Sequence, residues 1–328
     1  MIRSKTVSIF RCLACVGVFI VHFGIIMKFK GSLRVITDFG AEGVSVFFML
    51  SGFLAASKKV SGIKEGLKYY LNRAIRILPL YYLVVSYYFF VLRDVILFEE
   101  DVYGVGWKRY FLLANCVIPG GGKWDNLGAL WSIFVIIGFY FTVSFWSKFV
   151  NSMKSAAIFE LITIGITLYW SNHLTGYLGW IKWMPYFGIG ILVYYGVKEE
   201  KSDYLYALFS LGAIFNILQG GYYKFTYLLL IAIVFTCGLS LENREKKLYV
   251  KFNEQWLFKV DRYSYTVYLV HAAVIETMSA IAPIGEYTAF MKGIFLIVMT
   301  IVFTLIVYHF YERPVYAILN KVYAKINR

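Results

Sequence analysis

Runs of about 20 apolar residues recur along this chain, and few folds can accept them. Val7–Phe29 is the first such run, and others follow as far as Tyr311. A hydrocarbon core offers no water to backbone N–H and C=O groups, so runs of this kind cross it as helices. Of the 328 residues 60% are hydrophobic and only 16% are charged. A soluble domain of this length could not hide that much apolar surface. Many of the Tyr and Trp residues stand near run ends, where interfacial belts form. The sequence thus predicts an all-α, polytopic membrane protein built as a single domain over residues 1–328.

Ten spans can be read: Val7–Phe29, Phe39–Ser57, Ile77–Leu92, Leu127–Trp146, Ser155–Trp170, Trp180–Val197, Tyr204–Gln219, Phe225–Leu241, Ser264–Pro283 and Thr288–Tyr311. An even number puts both termini on one side. The loops on that side, including Lys58 to Arg76 and Arg244 to Arg262, hold most of the Lys and Arg. By the positive-inside rule both termini are expected in the cytoplasm. The +14 net charge then reflects basic cytoplasmic loops facing anionic lipid headgroups, and no basic soluble segment points to nucleic acid. The widest gap, from Arg93 to Asn126, reads as an extramembrane loop, re-entrant around Tyr110–Pro119. No internal repeat is evident, which counts against transporters built from duplicated halves. Arg11 breaks the first apolar run and no small-residue cleavage site follows, so this span is expected to stay uncleaved. Cys12 and Cys15 form a CxxC inside a helix with no second ligand pair, which reads as packing and predicts no metal.

Ionisable residues inside an apolar run are costly, so each is a candidate for function. Arg11 and His22 share the first span. Their separation turns through about 1100°, which leaves them on one face but about 16 Å apart along the axis. A neutral imidazole at depth can take a proton from a hydroxyl that attacks an acyl group, so His22 is the candidate base. Arg73 and Arg76, three apart ahead of Pro79 and Tyr81, make a guanidinium pair suited to phosphates. An anchor to lipid headgroups is the competing reading. Pro79 is read in the first turn of the third span, where its missing N–H costs little. Gly40, Gly43 and the run Phe47–Leu54, which contains Ser51 and Gly52, permit close helix packing or approach of a ligand. Ser264, Tyr268 and His271 make one polar stripe, open to a hydrogen-bonded network or a substrate contact. Glu312 follows His309 and precedes Arg313-Pro314; it is expected to pair with an arginine, and Pro314 to end the last span. Glu160 and Glu276 also lie in apolar runs and could support a histidine. His173 is given no role.

The ordered set resembles the acyltransferase-3 family of integral membrane acyltransferases. The residues that carry the likeness are Arg11 and His22, Gly43-Val44 and Phe47–Phe53, Arg73…Arg76-Ile77-Leu78-Pro79…Tyr81, Leu130-Trp131-Ser132, Tyr263–His271, and Glu312-Arg313-Pro314. The resemblance runs nearly end to end. It implies a ten-helix enzyme of the bacterial inner membrane that passes an acetyl or related acyl group from acyl-coenzyme A to a sugar hydroxyl. The acceptor would be a surface polysaccharide or lipid-linked glycan. By the same resemblance His22 with Arg11 is the catalytic pair and Arg73 with Arg76 meets the acyl donor. Ser51, Tyr268, His271 and Glu312 become substrate or structural support. Two positions depart from many relatives: Ser45 stands where an aspartate is common, and Ile136-Ile137 where a glutamate is common. The carboxylate partner of His22 is therefore not identified. The main rival is an exporter of polysaccharide or lipid without bond chemistry; a glycan polymerase or ligase is the other.

Overall fold

A computed structural model describes residues 4–92 except 59 and 61, then 110, 111, 113, 130–170, 176–200, 212, 224–244, 254–281 and 289–326. Among these residues the secondary structure is helical, with no strand. The helices are α1 (Lys5–Ile26), α2 (Gly31–Phe39), α3 (Glu42–Ala56), α4 (Ile63–Phe90), α5 (Leu130–Trp146), α6 (Met153–Trp170), α7 (Met184–Lys198), α8 (Lys224–Arg244), α9 (Glu254–Asp261), α10 (Ser264–Ile281), α11 (Ala289–Val307) and α12 (Arg313–Ile326). A 3₁₀ segment, Gly176–Trp183, leads into α7, and a π turn, Tyr308–Glu312, joins α11 to α12. Lys5–Ile26, Gly31–Ala56 and Phe290–Lys325 are long and apolar enough to cross a membrane; Leu130–Trp146 and Tyr227–Glu242 are shorter apolar helices. On α11 Phe290, Ile294, Ile297, Val298, Ile301 and Leu305 are exposed. Such a continuous bare apolar face suits lipid, not water.

Three boundaries differ from the sequence reading. The second span is split between α2 and α3 near Gly40, where Gly40 sits against the Gly17 carbonyl. The third span belongs to a 28-residue helix beginning at Ile63, so Pro79 is internal and not in a first turn. The basic segment ahead of Ile77 is helical although it lies outside the apolar window. Pro314 does not end the last helix, which continues to Ile326. The preceding π turn, with the Arg313 N–H bonded to the Tyr308 carbonyl, absorbs the proline's missing donor. The expected span Tyr204–Gln219 lies outside the described residues apart from Gly212, as does most of the loop from Arg93 to Asn126. Of that loop, buried Tyr110 and its neighbour Phe111 are fastened to α4: their carbonyls accept the Tyr81 and Tyr82 hydroxyls at 2.8 and 3.2 Å.

The chain divides into two compact units. The first comprises residues 1–14, 42–70 and 135–261; the second comprises 15–41, 71–134 and 262–328. In the first unit α3 packs on α7 through glycine. Gly52 meets the Phe187 backbone and Gly190 the Met49 carbonyl, so neither position has room for a side chain. Phe48, Phe187 and Phe139 stack beside this contact, with centroids 4.9 and 4.1 Å apart. Carboxylates close helix starts. Glu242 accepts the Lys5 and Thr6 N–H groups at 2.7 and 3.1 Å and the Ser4 hydroxyl at 2.8 Å, while Ser4 Oγ accepts the Val7 N–H. Glu199 likewise accepts the Met153 N–H at the start of α6. These bonds satisfy orphan donors and favour the positive end of the helix dipole.

In the second unit two contacts fix the direction of α1 against α10. The Cys15 thiol donates to the Ser264 carbonyl at 3.0 Å, and the His22 ring meets the His271 ring. Each pair lies the same number of residues along both helices, so the two run parallel and in step. Between α4 and α10, Tyr265 bonds the Ile77 carbonyl and Tyr87 bonds Thr277, which again means parallel helices.

Candidate functional site

Helix α10 assembles most of the motif residues of the second unit. His271 is fully buried. Its Nδ1 lies 2.9 Å from the Val267 carbonyl one turn back. A carbonyl only accepts, so Nδ1 carries the proton, and in a neutral ring Nε2 keeps its lone pair. Nε2 has no hydrogen-bond partner among the described residues. The half-buried His22 ring stands edge-on to it, with centroids 5.1 Å apart and planes at 61°. Phe19 and Tyr268 flank His271, each with its ring centroid 6.4 Å away. The Tyr268 hydroxyl is held by Ser132 at 2.5 Å, which brings the Leu130-Trp131-Ser132 motif to the same place. The result is a pair of imidazoles lined by aromatic rings, with one acceptor nitrogen left open.

Toward the start of α10 lies a second, charged cluster. The Thr266 hydroxyl donates to Glu312 in the π turn, and Arg76 on α4 acts electrostatically on Glu312. Arg76 is exposed and Arg73, one turn earlier, is half-buried. Two tyrosines fasten this corner around Pro79. Tyr265 donates to the Ile77 carbonyl at 2.6 Å and Tyr311 to the Pro79 carbonyl at 3.1 Å. Pro79 cannot donate to the Ile75 carbonyl, so the helical ladder lacks one bond there, while the Ile77 and Pro79 carbonyls have a second lone pair with which to accept these hydroxyls. The paired-arginine, Tyr-Ser-Tyr and Glu-Arg-Pro motifs thus meet at one corner. From Thr266 to His271 the rise is about 7.5 Å.

The structure does not gather every expected residue. Arg11 belongs to the first unit, where one guanidinium nitrogen reaches both Asp261 oxygens at 2.9 and 2.8 Å; Ser8 adds a bond to the same carboxylate at 2.9 Å. Ser51 is also in the first unit, half-buried beside the Gly52 contact. Glu160 is buried there against Gly188 and takes the Thr163 hydroxyl. Glu276 lies beside Tyr88. Among the described residues no carboxylate bonds His22. His309 is exposed and meets the Tyr263 hydroxyl at 3.2 Å. His173 lies outside the described residues. Sequence reasoning missed Asp261, Thr266 and the bond from Ser132 to Tyr268. Asp261 is one of three acids, with Glu245 and Glu254, in the stretch from Arg244 to Arg262, so no local signal singles it out.

The family model described as an acyltransferase domain, acyltransferase-3, matches residues 5–309. No curated protein and no solved structure matches the chain. The match spans nearly the whole chain and all the motif residues above except Glu312 and those after it. This membrane protein belongs to the acyltransferase-3 family.

Proposed function

We propose that the protein is an O-acyltransferase of the bacterial inner membrane that moves an acetyl or similar acyl group from acyl-coenzyme A to a glycan hydroxyl. The observation that carries this reading is the layout of α10. Through Thr266 and His271 this one helix touches both the guanidinium-bearing corner and the imidazole pair, with about 7.5 Å of rise between those two residues. Arg73 and Arg76 supply fork-shaped donors for the phosphates of coenzyme A. His22 takes the proton of the acceptor hydroxyl as its oxygen attacks the thioester carbonyl. The C–S bond then breaks, and the departing thiolate receives that proton to give free coenzyme A. His271, through its open Nε2, orients His22 or the acceptor hydroxyl. A buried ring nitrogen without a partner carries a penalty that such a bond removes. Arg11 braces the start of α1 through Asp261.

Glycan from cells lacking the protein, compared by NMR with glycan from complemented cells, tests this. The ester signal should vanish with the gene, return with the wild-type protein, and stay absent with His22→Ala or Arg73→Ala at equal expression. Full acylation by both variants would end the mechanism. An exporter without bond chemistry has no use for a donor, so acetyl-coenzyme A binding that weakens in Arg76→Ala separates the two readings.

A further inference from the structure

The ends of α1 and α11 hold two ammonium groups for which no carboxylate partner stands among the described residues. α1 closes with the Lys28 N–H bonded to the Ile25 carbonyl and the Phe29 N–H bonded to the Gly24 carbonyl, both at 3.1 Å. Lys28 itself is left-handed at φ 53°, which is the turn geometry that ends many helices. The first turn of α11 packs on this end. A Cβ at Gly293 would stand 3.2 Å from Phe23 Cζ and 3.9 Å from Met27 Cε. Lys28 follows Met27 and Lys292 precedes Gly293, so the two lysines share one neighbourhood. Lys292 is only 6% exposed, and its Nζ has no hydrogen-bond partner among the described residues. Among the described residues, the charge that acts on it is that of Lys28, which repels it.

A buried ammonium without a partner is costly, and a second cation nearby makes it more so. A long side chain normally escapes by reaching water with its charged head, but this one is covered. An anion held between the two groups would remove both penalties. We propose that Lys28 and Lys292 form a binding site for a phosphate ester carried by a lipid. The inference deepens the acyl-transfer reading and rests on it for the ligand's role as acceptor. Lys28 lies about 9 Å beyond His22 along the direction of α1. Because α1 and α10 run parallel, the Arg76–Glu312 corner lies on the other side of the imidazole pair. Donor phosphates enter from one end, and the acceptor's phosphate is held at the other. Its sugar hydroxyls then fall at the level of His22.

The test uses the full-length protein in a neutral detergent, with native mass spectrometry and thermal unfolding as readouts. The probes are inorganic phosphate, a phosphatidylglycerol and a polyprenyl phosphate. The polyprenyl phosphate should bind most tightly and raise the unfolding temperature. Lys28→Glu, which places a carboxylate beside Lys292, should weaken it by about tenfold or more, as should Lys292→Met. Lys28→Arg should retain binding. Lys28 is on an exposed turn, so its variants stay folded and readable even if Lys292→Met does not. Equal binding of phosphatidylglycerol with the same lysine dependence would support the site and make a lipid headgroup its source. Binding of all three probes that is unchanged in Lys28→Glu and Lys292→Met would overturn it. Acetyl-coenzyme A binding, measured on the same samples, should not change in Lys28→Glu. Its absence from the wild type would sink the acyl-transfer reading and leave the lysine site standing.

Discussion

Changing His22 to Ala removes the proposed base while leaving His271 bonded to Val267, so coenzyme A release should fall by about 10² to 10⁴. A thiol-reactive dye can follow this release with purified protein. Unchanged turnover would reassign the base. Tyr268 and Ser132 make a second test, because their hydroxyls meet in a fully buried place. Tyr268→Phe should lower stability by about 1 kcal/mol, and a cycle with Ser132→Ala should show the two losses to be shared. Additive losses would mean that this bond contributes nothing. His22 and Arg11 were legible in the sequence because ionisable groups stand out in an apolar run. Their partners were not. Asp261 lies 250 residues from Arg11. The bond that sets the His271 tautomer goes to a backbone carbonyl, which has no signature in sequence.

Helix α4 shows where element reading by hydropathy fails. Lys64, Lys68, Arg73 and Arg76 make the segment ahead of Ile77 look like a loop, and Pro79 then looks like a helix start. The helix in fact runs from Ile63 through the proline to Phe90. The distant hydroxyls of Tyr265 and Tyr311 serve the carbonyls around the break, which no local pattern announces. Pro79→Ala would restore the missing N–H donor to the Ile75 carbonyl. Unfolding measured in detergent should shift upward, by up to about 3 kcal/mol if nothing else changes. If the proline sets the direction of the segment that carries Arg73 and Arg76, acetyl-coenzyme A binding should weaken, since Arg76 acts on Glu312 from that segment. If stability and binding both stay as they were, the break has no part in placing the arginines. The small residues of α3 were legible as a packing preference, but Gly190 on the facing helix α7 was not. Gly190→Ala puts a Cβ against the Met49 carbonyl, which is backbone and cannot move aside. A loss of about 1–3 kcal/mol in thermal unfolding is expected. A wild-type transition in this variant would mean that the two helices are farther apart.

At the scale of the whole molecule, direction along the membrane normal links the fold to the chemistry. The parallel run of α1, α4 and α10 in the second unit requires an even number of crossings from the start of each to the start of the next. The ten-span reading assigns them to spans one, three and nine, which meets that condition. It is also the order that hydropathy and the Lys/Arg bias lead one to expect. What they could not supply was which odd spans touch, and that decides where the imidazoles meet. The ten-span topology expected from the sequence makes a definite forecast for cysteines introduced after the four native ones are replaced. Ser4→Cys, Lys64→Cys, Lys259→Cys and Lys325→Cys should react with an impermeant maleimide only after the cytoplasmic face is opened. Lys30→Cys should react in intact cells. The arginine corner would then face the coenzyme A pool and the paired lysines the opposite surface, so donor and acceptor could reach His22 without exchanging places. Labelling of Ser4→Cys and Lys259→Cys from opposite sides would contradict the parallel contact of α1 with α10. With it would go the placement of His22 beside His271.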